Sequence, residues 1–378
     1  MKYIFRAIEE KIVENLKPNK VVIIFGARRV GKTELIKRVA EKINEDYLLL
    51  NGEDVEHVSA LEQRSSSNYN RLLGGRKLLI IDEAQAIPEI GLKLKLMVDS
   101  IAGLKIIATG SSSFDLNNQI GEPLVGRKIE FSLFPLAQLE FSKEEDYLET
   151  KANLEDRLIF GGYPELTHLP DKNKKIEYLK DQINSYLLKD IIAFEGIKKR
   201  DKIIQLLKII AFRNGSEISI EGIGNQLQMS KNTVDRYLDL LSKVFIVHKV
   251  TGFSRNLDNE ITKKSKWYFY DNGIRNAIIS NFNPLNLRDD IGQLWENYLI
   301  SERLKYQSYK RLHINNYFWR THTQKEIDWV EERETKLMAY EFKWNQHTKA
   351  KPPAIWEKAY PNAIFDVLTP ANYLNFIV

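Results

Sequence analysis

Val21-Val-Ile-Ile-Phe25 runs directly into Gly26-Ala27-Arg28-Arg29-Val30-Gly31-Lys32-Thr33, and then into Glu34-Leu-Ile-Lys-Arg-Val-Ala-Glu-Lys-Ile43. The first piece is a short β-branched run, which predicts a buried strand of a parallel sheet. The second has the pattern G-x-x-x-x-G-K-T, and the third has helical spacing. A P-loop requires this strand–loop–helix context. Its glycines let the backbone curl so that amides face a β-phosphate, and the following helix adds its positive end. Lys32 is expected to neutralise the β/γ oxygens and Thr33 to offer its hydroxyl to Mg²⁺. A glycine-rich turn before an ordinary helix is the plain alternative.

Two further strands end in groups that such a site needs. Lys77-Leu-Leu-Ile-Ile-Asp82-Glu83-Ala-Gln85 is an apolar run closing on two carboxylates. Asp82 suits a Walker B metal carboxylate, and Glu83 suits the base that orients or activates water. Leu104-Lys-Ile-Ile-Ala-Thr109-Gly110-Ser111-Ser112-Ser113 ends in hydroxyls. Ligands of open α/β sheets lie at the carboxyl ends of strands, so Thr109 or Ser111 is a candidate γ-phosphate sensor. Arg127 is a candidate arginine finger for a neighbouring subunit; an ordinary surface or ion-paired arginine is the other reading.

GxRRVGKT, IIDEAQ, TGSSSF and LVGR with FSLFPLAQLEF follow one another in this chain, then Phe160-Gly-Gly-Tyr-Pro-Glu165 and Tyr186-Leu-Leu-Lys-Asp190. Together they resemble the prokaryotic AAA-type (AAA_14-like) ATPases whose C-terminal part is domain of unknown function 4143. The resemblance implies an ATPase core over 1–134 and a small helical lid over 135–197, with ATP and Mg²⁺ as ligands. The chain departs from the pattern at Arg29, where a Gln-like residue is more usual. That change leaves the cradle intact and adds charge beside it.

The remaining length needs more than one further domain: 378 residues suggest two or three in all. Hydrophobic residues at 43% and charged residues at 28% are ordinary for a globular chain. The absence of cysteine excludes disulfides, thiolate catalysis and zinc–thiolate or Cys-ligated iron–sulfur sites. No run approaches the length of a membrane span, and the first residues do not read as a signal peptide. The expected compartment is therefore the cytoplasm, with no membrane partner. The net charge of +5 is unevenly spread. Residues 198–266 carry 14 Lys/Arg against 7 Asp/Glu, whereas residues 1–150 carry 21 against 23. A basic stretch of this kind suits phosphate partners, or is simply a solvated lysine-rich face.

The same basic stretch predicts a winged helix over 198–270. Lys202–Ala211 and Ile218–Leu227 have helical spacing, Ser230 is an N-cap, and Lys231–Leu241 forms the next helix. Val244–Val250 and Lys266–Tyr270 flank a polar wing. Lys231, Asn232, Thr233 and Arg236 would sit where recognition helices meet bases or phosphates, with Arg255, Lys263 and Lys264 on the wing. Duplex DNA is the partner this implies. Against it, Asp235 and Asp239 lie on the same helix, and winged helices also serve as protein contacts or oligomer spacers.

The final third, 271–378, places Glu296 on an amphipathic helix, Asp328 on one strand, and Glu341 and Lys343 on the next, sharing a face at i and i+2. Two or three carboxylates with a lysine can hold Mg²⁺ against a phosphodiester. The set resembles the PD-(D/E)xK nuclease fold. The expected architecture is thus α/β: a P-loop NTPase parallel sheet with helical lid, then a winged helix, then a restriction-endonuclease-like α/β domain. The expected function is an ATP-hydrolysing protein that engages DNA and cuts or remodels it, with a homo-oligomer expected if Arg127 serves a neighbouring subunit. The alternative is a nucleotide-switched interaction scaffold with an inactive nuclease-like domain. A P-loop kinase is weaker, because Asp82-Glu83 supplies a water-activating carboxylate and no acceptor pocket is evident.

Overall fold

The computed structural model describes residues 3–111, 123–187, 200–254 and 265–378. The chain divides into two compact units: residues 1–136 with 243–245, and residues 137–242 with 246–378.

The first unit is built on a parallel sheet of β1 (Lys20–Phe25), β2 (Tyr47–Asn51), β3 (Leu78–Asp82), β4 (Lys105–Gly110) and β5 (Lys128–Ser132), in the order β2-β3-β4-β1-β5. The strands β1, β3 and β4 are buried nearly throughout, as central parallel strands between helices must be. Alternate residues Val21, Ile23, Phe25, Leu79, Ile81, Ile106 and Ala108 share one core with Leu94, Met97 and Tyr69 from the flanking helices. The Lys32–Ile43 helix buries Leu35, Ile36, Val39 and Ala40, its apolar stripe, and stops at Asn44 in the left-handed region (φ 53°). Because β4 lies between β1 and β3, the carboxyl end of β4 falls between the P-loop and the Asp82-Glu83 pair.

The second unit joins strands of the two expected C-terminal domains into a single sheet. β6 (Glu217–Ile218), β7 (Val247–Gly252), β8 (Ser265–Phe269), β9 (Asn315–Arg320), β10 (Glu326–Arg333), β11 (Lys336–Phe342) and β12 (Ile364–Leu368) run in the order β12-β11-β10-β9-β7-β8-β6. Pairing of β7 with β9 is parallel and short, Thr251 and Gly252 against Tyr317 and Phe318. The helices Arg200–Phe212, Ile220–Leu227 and Lys231–Lys243 precede β7. The Ile291–Lys310 helix buries Leu294, Trp295 and Leu299. Trp319 and Trp329 are core aromatics, as their apolar strand positions suggest. A register shift between Ile327 and Val330 on β10 accounts for the break in alternation that buries Trp329 and Val330 together.

Of the segment expected as a lid, the described residues 137–187 belong to the second unit. Gln138 N–H donates to Glu302 (2.5 Å) and Arg157 to Gln138 Oε1 (2.6 Å). The Gly-Gly of Phe160–Glu165 interlocks with Asp271-Asn-Gly: Gly162 N–H donates to Asp271 (2.8 Å). A Cβ on Gly161 would fall 2.1 Å from the Asp271 carboxylate, and Gly161 itself has φ +80°. Among the described residues no helix is long and apolar enough to cross a membrane.

Candidate functional site

The loop Gly26–Thr33 curls between β1 and the Lys32–Ile43 helix through left-handed conformations at Arg29 (φ 61°) and Gly31 (φ 93°). Gly26 cannot carry a side chain, since a Cβ would meet the Leu133 carbonyl oxygen at 2.2 Å. Buried Arg6 braces the loop from outside, donating to the carbonyls of Val30 and Phe134, each at 2.6 Å. Ala27 and Val30 are buried, whereas Arg29 is exposed and Arg28 lies 3.9 Å from Glu53.

The side chains expected to act on phosphate come together here. Lys32 is buried and donates to the carbonyls of Gly26 (3.0 Å) and Ala27 (3.1 Å), with Glu83 at 3.8 Å. The Thr33 hydroxyl donates to Asp82 Oδ2 at 2.7 Å. Thr109, fully buried, donates to Asp82 Oδ1 and accepts from the Glu83 N–H (3.1 Å). Thr109 therefore ties the Asp82 carboxylate to the Glu83 backbone, and the next hydroxyl, just past β4, is that of Ser111. Gln85, which the sequence does not single out, bridges the site: Nε2 donates to Glu83 Oε2 (2.6 Å) and Ser111 Oγ (3.1 Å). The sole hint in the sequence was a polar side chain two residues past Glu83. Glu83 itself is left-handed (φ 48°), a strained placement that aims its carboxylate. Arg127 donates to Asp99 (2.7 Å) within its own unit.

On the Lys231–Lys243 helix, Lys231, Asn232 and Arg236 are exposed and Thr233 partly so, while Val234, Tyr237 and Leu238 are buried. Ser230 caps it, accepting from the Thr233 N–H at 3.1 Å. Asp235 and Asp239 are exposed on the same helix. Arg255, Lys263 and Lys264 lie outside the described residues.

The nuclease-like residues are close to one another but paired differently from the expectation. Asp328 Oδ2 accepts from the Phe342 N–H (2.8 Å), and Lys343 donates to Glu341 (2.6 Å). Glu296 accepts from the Tyr268 hydroxyl at 2.6 Å. A residue not anticipated stands among them: Lys266 on β8, 2% exposed, bonded to Glu326 and 3.6 Å from Glu296. Burial, then the charges of Glu296 and Glu341, push the Asp328 carboxyl well above its ordinary range. Burial also raises Glu296, against the pull of Lys266 and Tyr268. For Lys266 burial works downward, but Glu296, Glu326 and Asp328 outweigh it and hold the ammonium charged. Among the described residues no group of three or more His or acidic side chains is arranged to hold a metal ion.

Three families match parts of the chain: AAA domain (AAA_14) over residues 18–142, a domain of unknown function (DUF8612) over 151–285, and another (DUF4143) over 291–366. An uncharacterized protein of Methanocaldococcus jannaschii is 27% identical, over 97% of this chain and 83% of its own length. An uncharacterized protein of Haemophilus influenzae is 23% identical, over 71% of this chain and 72% of its own. Among solved structures, a mutant RuvB of Thermotoga maritima aligns with 64% of this chain and 86% of its own, at 14% identity and a TM-score of 0.30. The first unit thus carries an AAA-type P-loop NTPase fold, by its family match and by its own sheet and loop.

Proposed function

We propose that this protein binds and hydrolyses ATP at the P-loop site and engages duplex DNA through the Lys231–Lys243 helix. The observation that carries the first part is the direct Thr33–Asp82 hydrogen bond at 2.7 Å, between groups 49 residues apart in sequence. Hard oxygen donors at that separation, beside a loop whose Gly26 has no room for a Cβ, fit nucleotide and Mg²⁺. Mg²⁺ bound there supplies neutralisation of phosphate charge.

The chain's own groups do the rest. Lys32 rests on two neutral carbonyls, which a charged phosphate oxygen outcompetes as an acceptor. The helix N-terminus and loop amides hold the phosphates. Glu83 receives the proton of the attacking water while Gln85 fixes its Oε2. Thr109 keeps Asp82 and Glu83 in one orientation. Lys32→Ala is expected to abolish phosphate release from ATP; retained hydrolysis would refute the assignment.

The DNA part rests on the local positive charge and on exposed Lys231, Asn232 and Arg236. Duplex binding followed by fluorescence anisotropy should weaken steeply with salt, because phosphate contacts release counterions. Lys231→Ala with Arg236→Ala should reduce that salt slope by about 2. Exposed Asp235 and Asp239 favour the second reading, a protein-contact surface, and salt-insensitive or absent DNA binding would select it.

A further inference from the structure

The C-terminal carboxylates do not fit a divalent metal as they stand, because a cation from the chain itself is already among them. We infer that Lys266 is an internal counter-ion that takes the place of a metal, and that the C-terminal unit is a metal-independent module held together at this point.

The position of Lys266 is enforced by its strand. Its backbone pairs with Glu217 on β6 and Val250 on β7, which fixes where the side chain starts. The stem is buried and the ammonium passes the Phe318 ring at 5.2 Å before reaching Glu326 and Glu296. Tyr268, two residues along and on the same strand face, gives its hydroxyl to Glu296. One strand therefore supplies two donors to the helix-borne carboxylate on which a metal would depend. Glu296 is confined on another side by Gly215 (φ +74°), where a Cβ would lie 3.1 Å from its Oε1.

The other carboxylates are engaged as well. Glu326 also faces Arg320 at 3.5 Å, Glu341 takes Lys343, and Asp328 takes a backbone N–H. A divalent ion entering this group would sit beside the Lys266 ammonium with little water between them. At that separation the repulsion is several times its value in bulk water. Expelling Lys266 would instead leave its buried stem without a place and Glu326 without its closest partner. A buried pair broken on one side is strongly destabilising. Either route disfavours the metal. The arrangement ties β8, β10 and the Ile291–Lys310 helix through charge, in the region where β7 and β9 share only two residue pairs.

Mn²⁺ titration of the full-length, nucleotide-free protein, read by the electron paramagnetic resonance of free Mn²⁺, tests this. An Asp82→Asn background removes the P-loop carboxylate from the comparison. Wild-type and Asp328→Asn proteins are expected to give superimposable curves. Lys266→Met should gain a Mn²⁺ site at least about tenfold tighter, lost again when Asp328→Asn is added. Lys266→Arg, which keeps the cation, should gain none. A Mn²⁺ site in the wild type that disappears with Asp328→Asn would overturn the inference, as would a folded Lys266→Met that binds no better than wild type. If Lys266→Met does not fold, the wild-type and Asp328→Asn curves decide alone.

Discussion

The P-loop site and the C-terminal cluster are built from the same kinds of side chain, lysine and carboxylate, and they treat them in opposite ways. Around Lys32 and Asp82 the shortest hydrogen bonds are to neutral groups, two backbone carbonyls under the ammonium and two threonine hydroxyls on the carboxylate, with Glu83 farther from Lys32 at 3.8 Å. Around Lys266 and Glu326, Lys343 and Glu341, Arg303 and Glu331, charge meets opposite charge. A neutral partner holds a charged group in position and yields to a charged ligand. An opposite charge holds it and competes with the ligand. The first arrangement is suited to chemistry on phosphate, and the second to holding strands and helices together.

Substitutions can break this contrast. Glu331 is fully buried and accepts from Arg303 Nε and Nη2, at 2.6 and 2.7 Å, and from the Trp329 indole at 2.9 Å. Glu331→Ala leaves a buried arginine without its acid and should cost about 3–5 kcal/mol in denaturant unfolding. Asp82→Asn should change stability by less than about 1 kcal/mol, since the amide oxygen still accepts from Thr109 and the amide NH2 can donate to the Thr33 hydroxyl. Equal costs for the two would mean that the P-loop acid is structural too.

Within the nucleotide site, Glu83→Gln should leave ATP binding nearly intact and lower turnover by about 10²–10³-fold, because the amide keeps the shape and loses the proton acceptor. Single-turnover phosphate release alongside nucleotide affinity separates the two effects. An unchanged rate would remove Glu83 as the base. Thr109→Val is milder. The isostere fills the same buried space, but Asp82 loses a donor and the Glu83 N–H an acceptor, a cost of about 1–3 kcal/mol. The loss should appear in kcat, by about tenfold, with KM little moved. A rise in KM alone would place Thr109 in binding.

The extent to which the sequence discloses these sites follows from distance along the chain. Strand, loop and helix of the P-loop are contiguous, so spacing alone orders Gly26 to Thr33. The acids at the ends of β3 and the hydroxyls of β4 were legible because strand ends in an open sheet converge. Arg6 and Gln85 were not, since a lone arginine near the first helix and a glutamine past an acid have many ordinary roles. Strand periodicity puts Glu341 and Lys343 on one face with Asp328 on the neighbouring strand, and Glu296 approaches from its helix; Lys343 donates to Glu341, and the charges of Glu296 and Glu341 act on Asp328. Their pairing was beyond reach: Lys266 sits 60 residues before Glu326, on a strand that reads as part of a winged helix. Only the sheet that joins β7 to β9 brings that lysine in. The role of Thr109 was split differently, because periodicity places a residue on a strand end without saying which partner its hydroxyl takes.

The smallest effect concerns a buried titratable side chain of the C-terminal unit that pairs with no charge among the described residues. His248 is buried on β7 between the rings of Tyr268 (5.6 Å) and Tyr270 (5.0 Å), and neither ring nitrogen has a hydrogen-bond partner among the described residues. Burial pushes its pKa down to about 3, against 6.5 ordinarily. The unfolded chain therefore takes up a proton below about pH 6.5 that the folded chain refuses. Stability contributed by the neutral ring is present above that value and declines as the pH falls, by about 1 kcal/mol between pH 7.5 and 5.5. His248→Phe keeps an aromatic ring between the two tyrosines and removes the proton. Its unfolding midpoint should fall less steeply over that interval than the wild-type midpoint. Parallel slopes would mean that the ring is protonated in the fold.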